Sequence, residues 1–197
     1  MQFPSTISEG KVKLRELSVD VADFLPISEE QLAPRSLGLH VSQIINYIST
    51  TIGRRDNDFT REDLDAFAVV GRMFERILAE TIFRPPRYIR PGEITMDGIT
   101  GSPDAVDCDD GAVVEIKASF KSSKHDIQTF REYWWQQMAY CHMLDVNVSK
   151  LYVFYVNGDY SPPKPTWPPR AWEAEFGKHE LRDNWAMLVR NGKDIQS

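Results

Sequence analysis

The chain has 197 residues, of which 42% are hydrophobic and 26% are charged. These values are ordinary for a soluble globular protein, so they exclude a disordered chain and a collagen-like repeat, and the length suits a single domain over residues 1–197. The formal net charge of −6 lowers the expectation of nucleic-acid binding, because phosphate contacts need Lys and Arg. A local basic groove can nevertheless lie on an acidic protein.

The sequence also indicates in which cellular compartment the protein is expected and which cofactor it is not expected to bind. The two cysteines, Cys108 and Cys141, are too few for a four-cysteine zinc or iron–sulfur site, so no iron–sulfur cluster is expected. No apolar run reaches the roughly 18 residues that a membrane-spanning helix needs. The first residues show no secretory signal. We therefore expect a cytoplasmic protein with no membrane partner.

The first part of the chain reads as an arm followed by helices. Residues 1–34 show little periodicity and are interrupted by prolines, and Ser42 is a candidate N-cap for a first helix. Apolar residues recur at three- and four-residue steps over 61–82, which predicts a long helix that ends at Pro85-Pro86.

The second part of the chain predicts a meander, a helix and a buried strand. Three strands are expected, over 93–99, 104–108 and 112–119. A helix over 127–144 then precedes a strand over 151–156 that is apolar on both faces. That helix is long enough to be a crossover, which would make the strands on either side of it parallel. The order α-β-β-β-α-β predicts an α/β fold, with a mixed central sheet flanked by helices.

The end of the chain predicts a loop and one more helix. Five prolines fall between residues 159 and 170, so this segment is expected to be an extended loop. The pattern over 178–190 predicts a C-terminal helix.

Three ionisable side chains are expected to meet on the second and third strands. Alternation places Glu115 and Lys117 on one face of their strand. A turn centred on Asp109-Asp110 puts Asp104 opposite Glu115, whereas a turn centred on Asp110-Gly111 puts Asp104 opposite Lys117. Both registers gather the three side chains on one face.

Two carboxylates at cross-strand distance repel each other, so a compensating charge is required. A hard divalent cation is the natural candidate, because one or two carboxylates with waters and phosphate oxygens are typical ligands of Mg²⁺. Lys117 could then orient a water or stabilise developing negative charge. The alternative is a solvated strand face, which is the commoner explanation of a short pattern such as Glu115-Ile116-Lys117.

Two helical pairs lie near this constellation in the predicted order. Gly71 and Glu75 are four residues apart, so Glu75 could lean towards the sheet as a third metal-facing carboxylate. Gln136 and Tyr140 are also four residues apart and could hold a phosphate or a base. Each pair could equally be ordinary helix surface.

The ordered set of Gly71-x-x-x-Glu75, Gly101-Ser102-Pro103-Asp104, Glu115-Ile116-Lys117 and Gln136-x-x-x-Tyr140 resembles the RecB-like branch of the PD-(D/E)xK nuclease superfamily. The resemblance implies a restriction-endonuclease-like core. It implies that Asp104, Glu115 and the carbonyl of Ile116 bind Mg²⁺ or Mn²⁺, and that Glu75 binds the metal directly or through water. It also implies that Lys117 positions the water that attacks the phosphodiester.

A second segment is similar to the phosphate-binding segment of lambda-exonuclease-type enzymes. In Arg35-Ser-Leu-Gly-Leu-His-Val-Ser42, the resemblance implies that Arg35 and Ser42 hold a 5′-phosphate of DNA. Arg offers bidentate phosphate bonds, and a helix N-terminus attracts anions. A helix cap beside a surface Arg is the competing interpretation. Lys121 and Lys124 form a basic loop that could guide a DNA strand.

The two resemblances together imply a metal-dependent DNA nuclease, and first of all a 5′→3′ exonuclease on double-stranded DNA of the phage-recombination type. A structure-specific endonuclease and an inactive DNA-binding scaffold are the alternatives. A single-strand annealing protein is a partner implied by the family alone. A homo-oligomer is compatible with the sequence, because related exonucleases can form rings around DNA.

Overall fold

The computed structural model describes residues 13–17, 38–51, 83–166 and 168–196, together with the helical residues Gly71, Met73 and Ile77. Most of the helix predicted over 61–82 therefore lies outside the described residues. The strands are β1 (Lys13–Leu17), β2 (Leu39–His40), β3 (Tyr88–Ile89), β4 (Ile94–Met96), β5 (Ile99–Gly101), β6 (Ala105–Asp107), β7 (Val113–Ser119), β8 (Val148–Tyr155) and β9 (Arg170–Glu175). The helices are α1 (Val41–Thr51), α2 (Arg131–Met143) and α3 (Lys178–Gln196).

Within these ranges the strands form two sheets. The larger has six strands in the order β1-β9-β8-β7-β6-β3, and the smaller has three in the order β2-β5-β4. β7 and β8 are parallel and are joined through α2, as expected of a crossover. The other pairs of the larger sheet are antiparallel. The predicted α/β fold, a mixed sheet with flanking helices, is confirmed.

The buried hydrophobic residues that the structure describes form two clusters, one on each face of the larger sheet. Val113, Leu151 and Val153 belong to the larger cluster, which also includes residues of α1, α2 and α3. Val114 and Ile116 belong to the smaller cluster on the other face. This alternation along β7 is what a strand buried on both sides requires.

Several predicted elements differ in extent. The segment predicted as one strand over 93–99 is a hairpin of β4 and β5, because Asp97 and Gly98 both have positive φ and form its tight turn. The arm predicted over 1–34 contains the edge strand β1, which pairs with β9. The loop predicted over 159–170 ends where β9 begins, at Arg170. The C-terminal helix continues to Gln196 rather than ending at 190.

The crossover begins with a short 3₁₀ turn, Ile127–Thr129, rather than with α-helix. The carboxylate of Asp126 caps this turn by accepting a hydrogen bond from the N–H of Gln128 at 3.0 Å. Trp134 and Trp135 of α2 are both buried, so both belong to the core. None of the helices in the described ranges has the length and apolar character needed to cross a bilayer.

Candidate active site

Asp104 and Glu115 meet across the β6–β7 hairpin. Ala105 pairs with Val114, and one further step in that register places Asp104 opposite Glu115. This is the register in which Asp109-Asp110 forms the centre of the turn. Oδ2 of Asp104 accepts a hydrogen bond from the backbone N–H of Ile116 at 2.8 Å, so the carboxylate is fixed where β6 begins.

Glu115 and Lys117 lie on the face of β7 that is covered by α2. Glu115 is 2% exposed, and the ammonium group of Lys117 contacts its Oε1. The Lys117 side chain retains 12% exposure, so this cation links the buried carboxylate to the surface. A buried carboxylate needs such a partner, because an isolated charge in an apolar interior is strongly disfavoured.

Gln136 and Tyr140 approach the same carboxylates from α2. Nε2 of Gln136 donates a hydrogen bond to the Tyr140 hydroxyl at 2.7 Å. Burial raises the pKa of Tyr140 well above its usual range, and the negative charge of Glu115 raises it further. The phenol therefore stays neutral near the two acids, where it can act as a hydrogen-bond donor.

Gly101, at the end of β5, allows this approach. A Cβ at Gly101 would lie 2.8 Å from Cε1 of Tyr140 and 2.8 Å from the Met143 sulfur. Both distances are shorter than those between a Cβ atom and its neighbours in proteins. The glycine thus lets α2 pack directly against the strand that leads into Asp104. The small sheet, α2 and the large sheet converge at this point.

The donor set suits Mg²⁺ or Mn²⁺. Two carboxylates on neighbouring strands, from Asp104 and Glu115, supply the hard oxygen ligands that these ions prefer, and the adjacent carbonyl of Ile116 is a further candidate. Within the described ranges, no three His, Cys, Asp or Glu side chains are arranged to hold a metal ion. Two carboxylates completed by waters and phosphate oxygens is nevertheless typical ligation for Mg²⁺. Glu75, the third predicted carboxylate, lies outside the described residues.

The predicted 5′-phosphate segment is described only in part. Arg35 lies outside the described residues. Ser42 is not the N-cap, because α1 begins at Val41 and Ser42 falls within its first turn. The backbone N–H of His40 instead donates to the Gln43 side chain at 2.8 Å, which is half of a capping box.

The two loop lysines are exposed but engaged with neighbours. Nζ of Lys121 lies 4.5 Å from the centre of the Phe130 ring, a cation–π contact. Nζ of Lys124 lies 3.2 Å from the Asp159 carboxylate, which offsets its charge. The charge of Lys124 is thus offset by a carboxylate, whereas that of Lys121 lies against an aromatic ring.

The sequence interpretation missed a buried ion cluster at the other end of the hairpin. Asp107, which is fully buried, accepts from Lys150 of β8 at 2.7 Å and from Arg87 at 3.1 Å. Lys150 also donates to Asp110 at 2.6 Å. A lysine in a strand that is otherwise largely apolar, together with a hairpin rich in Asp, is the signal that could have revealed this cluster.

Comparisons with known proteins find similar solved structures. No family model and no curated protein matches the chain. SSO0001 has 15% identity and a TM-score of 0.47, with 84% of this chain and 79% of that one covered. A phage-related exonuclease from Haemophilus somnus has 10% identity and a TM-score of 0.40, covering 78% and 79%. The alkaline exonuclease LHK-Exo from Laribacter hongkongensis has 17% identity and a TM-score of 0.38, covering 81% and 90%. The chain is thus similar in structure to phage-related and alkaline exonucleases.

Proposed function

We propose that the chain is a metal-dependent deoxyribonuclease, and specifically a 5′→3′ exonuclease on double-stranded DNA. The observation that supports this proposal is the placement of Asp104 opposite Glu115, with Lys117 on the same face of the sheet. Two carboxylates that share one face with a lysine form a donor set for a divalent cation beside a group that can hold a water.

Each residue then has a role in hydrolysis. Asp104, Glu115 and the Ile116 carbonyl would hold Mg²⁺ or Mn²⁺, with Glu75 as a direct or water-mediated ligand, and the ion would supply polarisation of the scissile phosphate and stabilisation of the leaving oxygen. Lys117 positions the attacking water, and its positive charge stabilises the negative charge that develops on the phosphate.

The substrate contacts extend from this centre. The neutral phenol of Tyr140 and the amide of Gln136 hold the phosphate or base next to the scissile bond. Arg35 and Ser42 bind the 5′-phosphate at the start of α1, where backbone N–H groups favour an anion. Lys121 and Lys124 guide the strand that leaves the site. DNA is the partner in the cytoplasm, and a single-strand annealing protein and a homo-oligomer belong to the same proposal.

Linear and closed circular duplexes test the activity. The purified chain is incubated with each DNA in Mg²⁺ and in chelator, and the products are resolved on a gel. Digestion of linear DNA alone, only with Mg²⁺, is expected. Cutting of circles would instead indicate the structure-specific endonuclease, and no cutting of either DNA would indicate the DNA-binding scaffold.

Removal of the 5′-phosphate tests the polarity. Dephosphorylated linear duplex should be digested more slowly than phosphorylated duplex by the parent chain. Arg35→Ala should digest both at the same slow rate, because the lost guanidinium is the group that distinguishes the two ends. If the parent chain digested the phosphorylated and the dephosphorylated duplex at equal rates, the assignment of Arg35 and Ser42 would be contradicted.

A further inference from the structure

We propose that the loop after β8, residues 157–166, binds an unpaired nucleotide of the DNA at the edge of the candidate site. In this proposal the Tyr160 ring stacks on the base, and the Lys164 ammonium group contacts a neighbouring phosphate. The proposal rests on the proposed function, because it takes Lys117 and the two carboxylates beside it to be the cutting site.

The loop leaves the larger sheet at the edge towards which Lys117 lies. β7 and β8 are parallel and end together, with Ser119 opposite Tyr155. These ends lie two residues beyond Lys117, which is about 7 Å along a strand. Ligands of α/β folds commonly bind outside the carboxyl ends of parallel strands. A DNA strand held at the candidate site therefore crosses the loops that follow β7 and β8.

The loop is tied to the segment that follows β7. The Tyr160 hydroxyl donates to the carbonyl of Phe120, and the N–H of Ser123 donates to the carbonyl of Gly158 at 2.7 Å. Arg170, at the start of β9, donates to the carbonyl of Ser123 at 2.9 Å. The segment after β7 continues into α2, the helix that covers the candidate-site residues of β7. The loop is thus fixed to the elements that carry and cover the site.

The Tyr160 side chain has the features of a binding residue. It is 46% exposed although its hydroxyl is anchored, and its backbone has a φ of 67°, which is uncommon for a bulky residue. Gly or Asn fits this backbone conformation better, so folding alone does not favour a tyrosine here. Such conformations cluster at functional sites. An exposed aromatic ring held in place offers a face on which any base can stack.

Lys164 is held beside Tyr160 by a shared hydrogen-bond acceptor. The carbonyl of Asn157 accepts from the N–H of Tyr160 at 3.0 Å and from the N–H of Lys164 at 3.3 Å. Gly158 makes this closure possible, because a Cβ there would collide with the carbonyl of Lys164. Lys164 is exposed. A cation beside an exposed ring suits a single strand, which proteins bind by combining basic groups with aromatic platforms.

The charges of the two loops also favour DNA. Residues 120–126 and 157–166 carry three lysines against two aspartates, in a chain whose net charge is −6. Both aspartates have local roles, since Asp126 caps the 3₁₀ turn and Asp159 lies 3.2 Å from Lys124. This part of the surface is therefore slightly positive, as contacts with phosphate require.

A proline-recognition domain is the other partner that this loop could take. Pro162, Pro163 and Pro165 surround Lys164, and such domains bind extended polyproline II segments. The loop is instead a closed turn, because residues 160 and 164 donate to the same carbonyl. The prolines restrict the backbone of this turn, which lowers the entropic cost of binding a ligand. The conformation of the loop therefore favours a nucleotide over a peptide-binding domain.

The test is the affinity for single-stranded DNA, measured in chelator so that no cutting is required. Binding of a labelled oligonucleotide of mixed sequence is followed by fluorescence anisotropy. Tyr160→Asn, which suits the positive φ but has no ring, should weaken binding about tenfold, as the loss of one stacked base predicts. Tyr160→Phe should keep the parent affinity, because it keeps the ring. Relaxed closed circular duplex offers no unpaired base, so its affinity should be the same for the parent and Tyr160→Asn.

The phosphate contact is tested by salt dependence. For Lys164→Gln, the slope of log affinity for the oligonucleotide against log salt should fall in magnitude by about 0.7. Lys193→Gln, at an exposed position of α3, is the matched control and should keep the parent slope. A thermal melt of each variant checks that it is folded.

Two results would overturn the proposal. One is a folded Tyr160→Asn variant that binds the oligonucleotide as tightly as the parent, and the other is an equal loss of affinity for the closed circular duplex. Cutting by the parent is measured separately, in Mg²⁺. Failure of the nuclease assignment and failure of the loop assignment therefore give different results.

Discussion

At the scale of single residues, the proposed role of Lys117 is the one that a substitution tests most directly. Lys117→Ala should reduce the rate of DNA cutting by about a hundredfold or more, because a positioned group acting on the attacking water is lost. DNA binding in chelator should be retained. The measurement is single-turnover cutting of linear duplex in Mg²⁺, with Lys193→Ala, at an exposed position of α3, as the control that should cut at the parent rate.

Lys117→Ala also removes the ammonium group that contacts the buried Glu115 carboxylate, so the folding of this variant has to be checked by a thermal melt. Lys117→Arg provides a second variant that keeps a positive charge beside Glu115 but moves the donors. If either folded variant cut DNA at the parent rate, Lys117 would have no part in positioning the water.

A substitution at Gly101 should affect both the stability of the fold and the rate of DNA cutting. Gly101→Ala should lower the free energy of unfolding by about 1–3 kcal/mol, because overpacking forces neighbouring side chains to move. Its Cβ would press on the Tyr140 ring and the Met143 sulfur, so the rate of DNA cutting should fall as well. Chemical denaturation and the cutting assay measure the two effects. Ser102→Ala, at an exposed neighbouring position, should change neither.

At the scale of elements, the ion cluster fixes the hairpin that carries the site. Lys150 of β8 reaches Asp107 and Asp110, and so ties the β6–β7 hairpin to the next strand. Lys150→Met should cost about 1.5–3 kcal/mol in free energy of unfolding, because the buried carboxylate of Asp107 loses one of its two cationic partners while Arg87 remains. Urea denaturation at neutral pH measures this loss. The exposed pair of Arg15 and Glu173 is the comparison, and Arg15→Ala should cost less than about 1 kcal/mol.

The same cluster predicts a pH dependence. Burial alone would raise the pKa of Asp107, but hydrogen bonds from Arg87, from Lys150 and from the N–H of Asp109 outweigh it, and the pKa is lowered. A lowered folded-state pKa adds stability above the usual Asp value of about 4, and this stability is lost as the pH falls below that value. The stability difference between the parent and Lys150→Met should therefore be largest at neutral pH and shrink below pH 4. A constant difference across that range would contradict this account.

Elements with a strong local signal could be predicted, whereas those that depend on pairing could not. The alternation along β7 and the apolar run of β8 are local, so their strands and faces follow from the sequence. β9 has alanine and glutamate at most positions, which favour helix, and it is extended because it pairs with β8 and β1. The split of β4 from β5 depends on positive φ at Asp97 as well as at Gly98.

The features of the candidate site divide in the same way, into those that local sequence predicts and those that depend on tertiary packing. The meeting of Asp104 and Glu115 follows from strand alternation and turn length, which are local. The contact of Gly101 with Tyr140 depends on how α2 packs on the small sheet, and no sequence spacing encodes that distance. The partner of Lys150 depends on the crossover that brings β8 beside the hairpin.

At the scale of the whole molecule, the candidate site lies where the small sheet, the large sheet and α2 meet. β5 leads directly into Asp104, β7 carries Glu115 and Lys117, and α2 covers both through Tyr140. One carboxylate lies on β7 and the other directly before β6, so a bound metal ion would link these two strands in the folded state. The unfolded chain has no such site. The metal ion should therefore stabilise the entire fold, independently of any DNA.

Mn²⁺ should accordingly raise the melting temperature of the parent chain. At a free metal concentration one hundred times the dissociation constant, the gain is about 2.7 kcal/mol by mass action. The gain should vanish in Asp104→Asn and Glu115→Gln, because each removes a carboxylate ligand, and persist in Asp183→Asn, an exposed residue of α3. Each variant is compared with itself by calorimetry, with and without Mn²⁺, so that its own effect on stability cancels. An equal rise in all four proteins would place the ion elsewhere and remove the basis of the proposed hydrolysis.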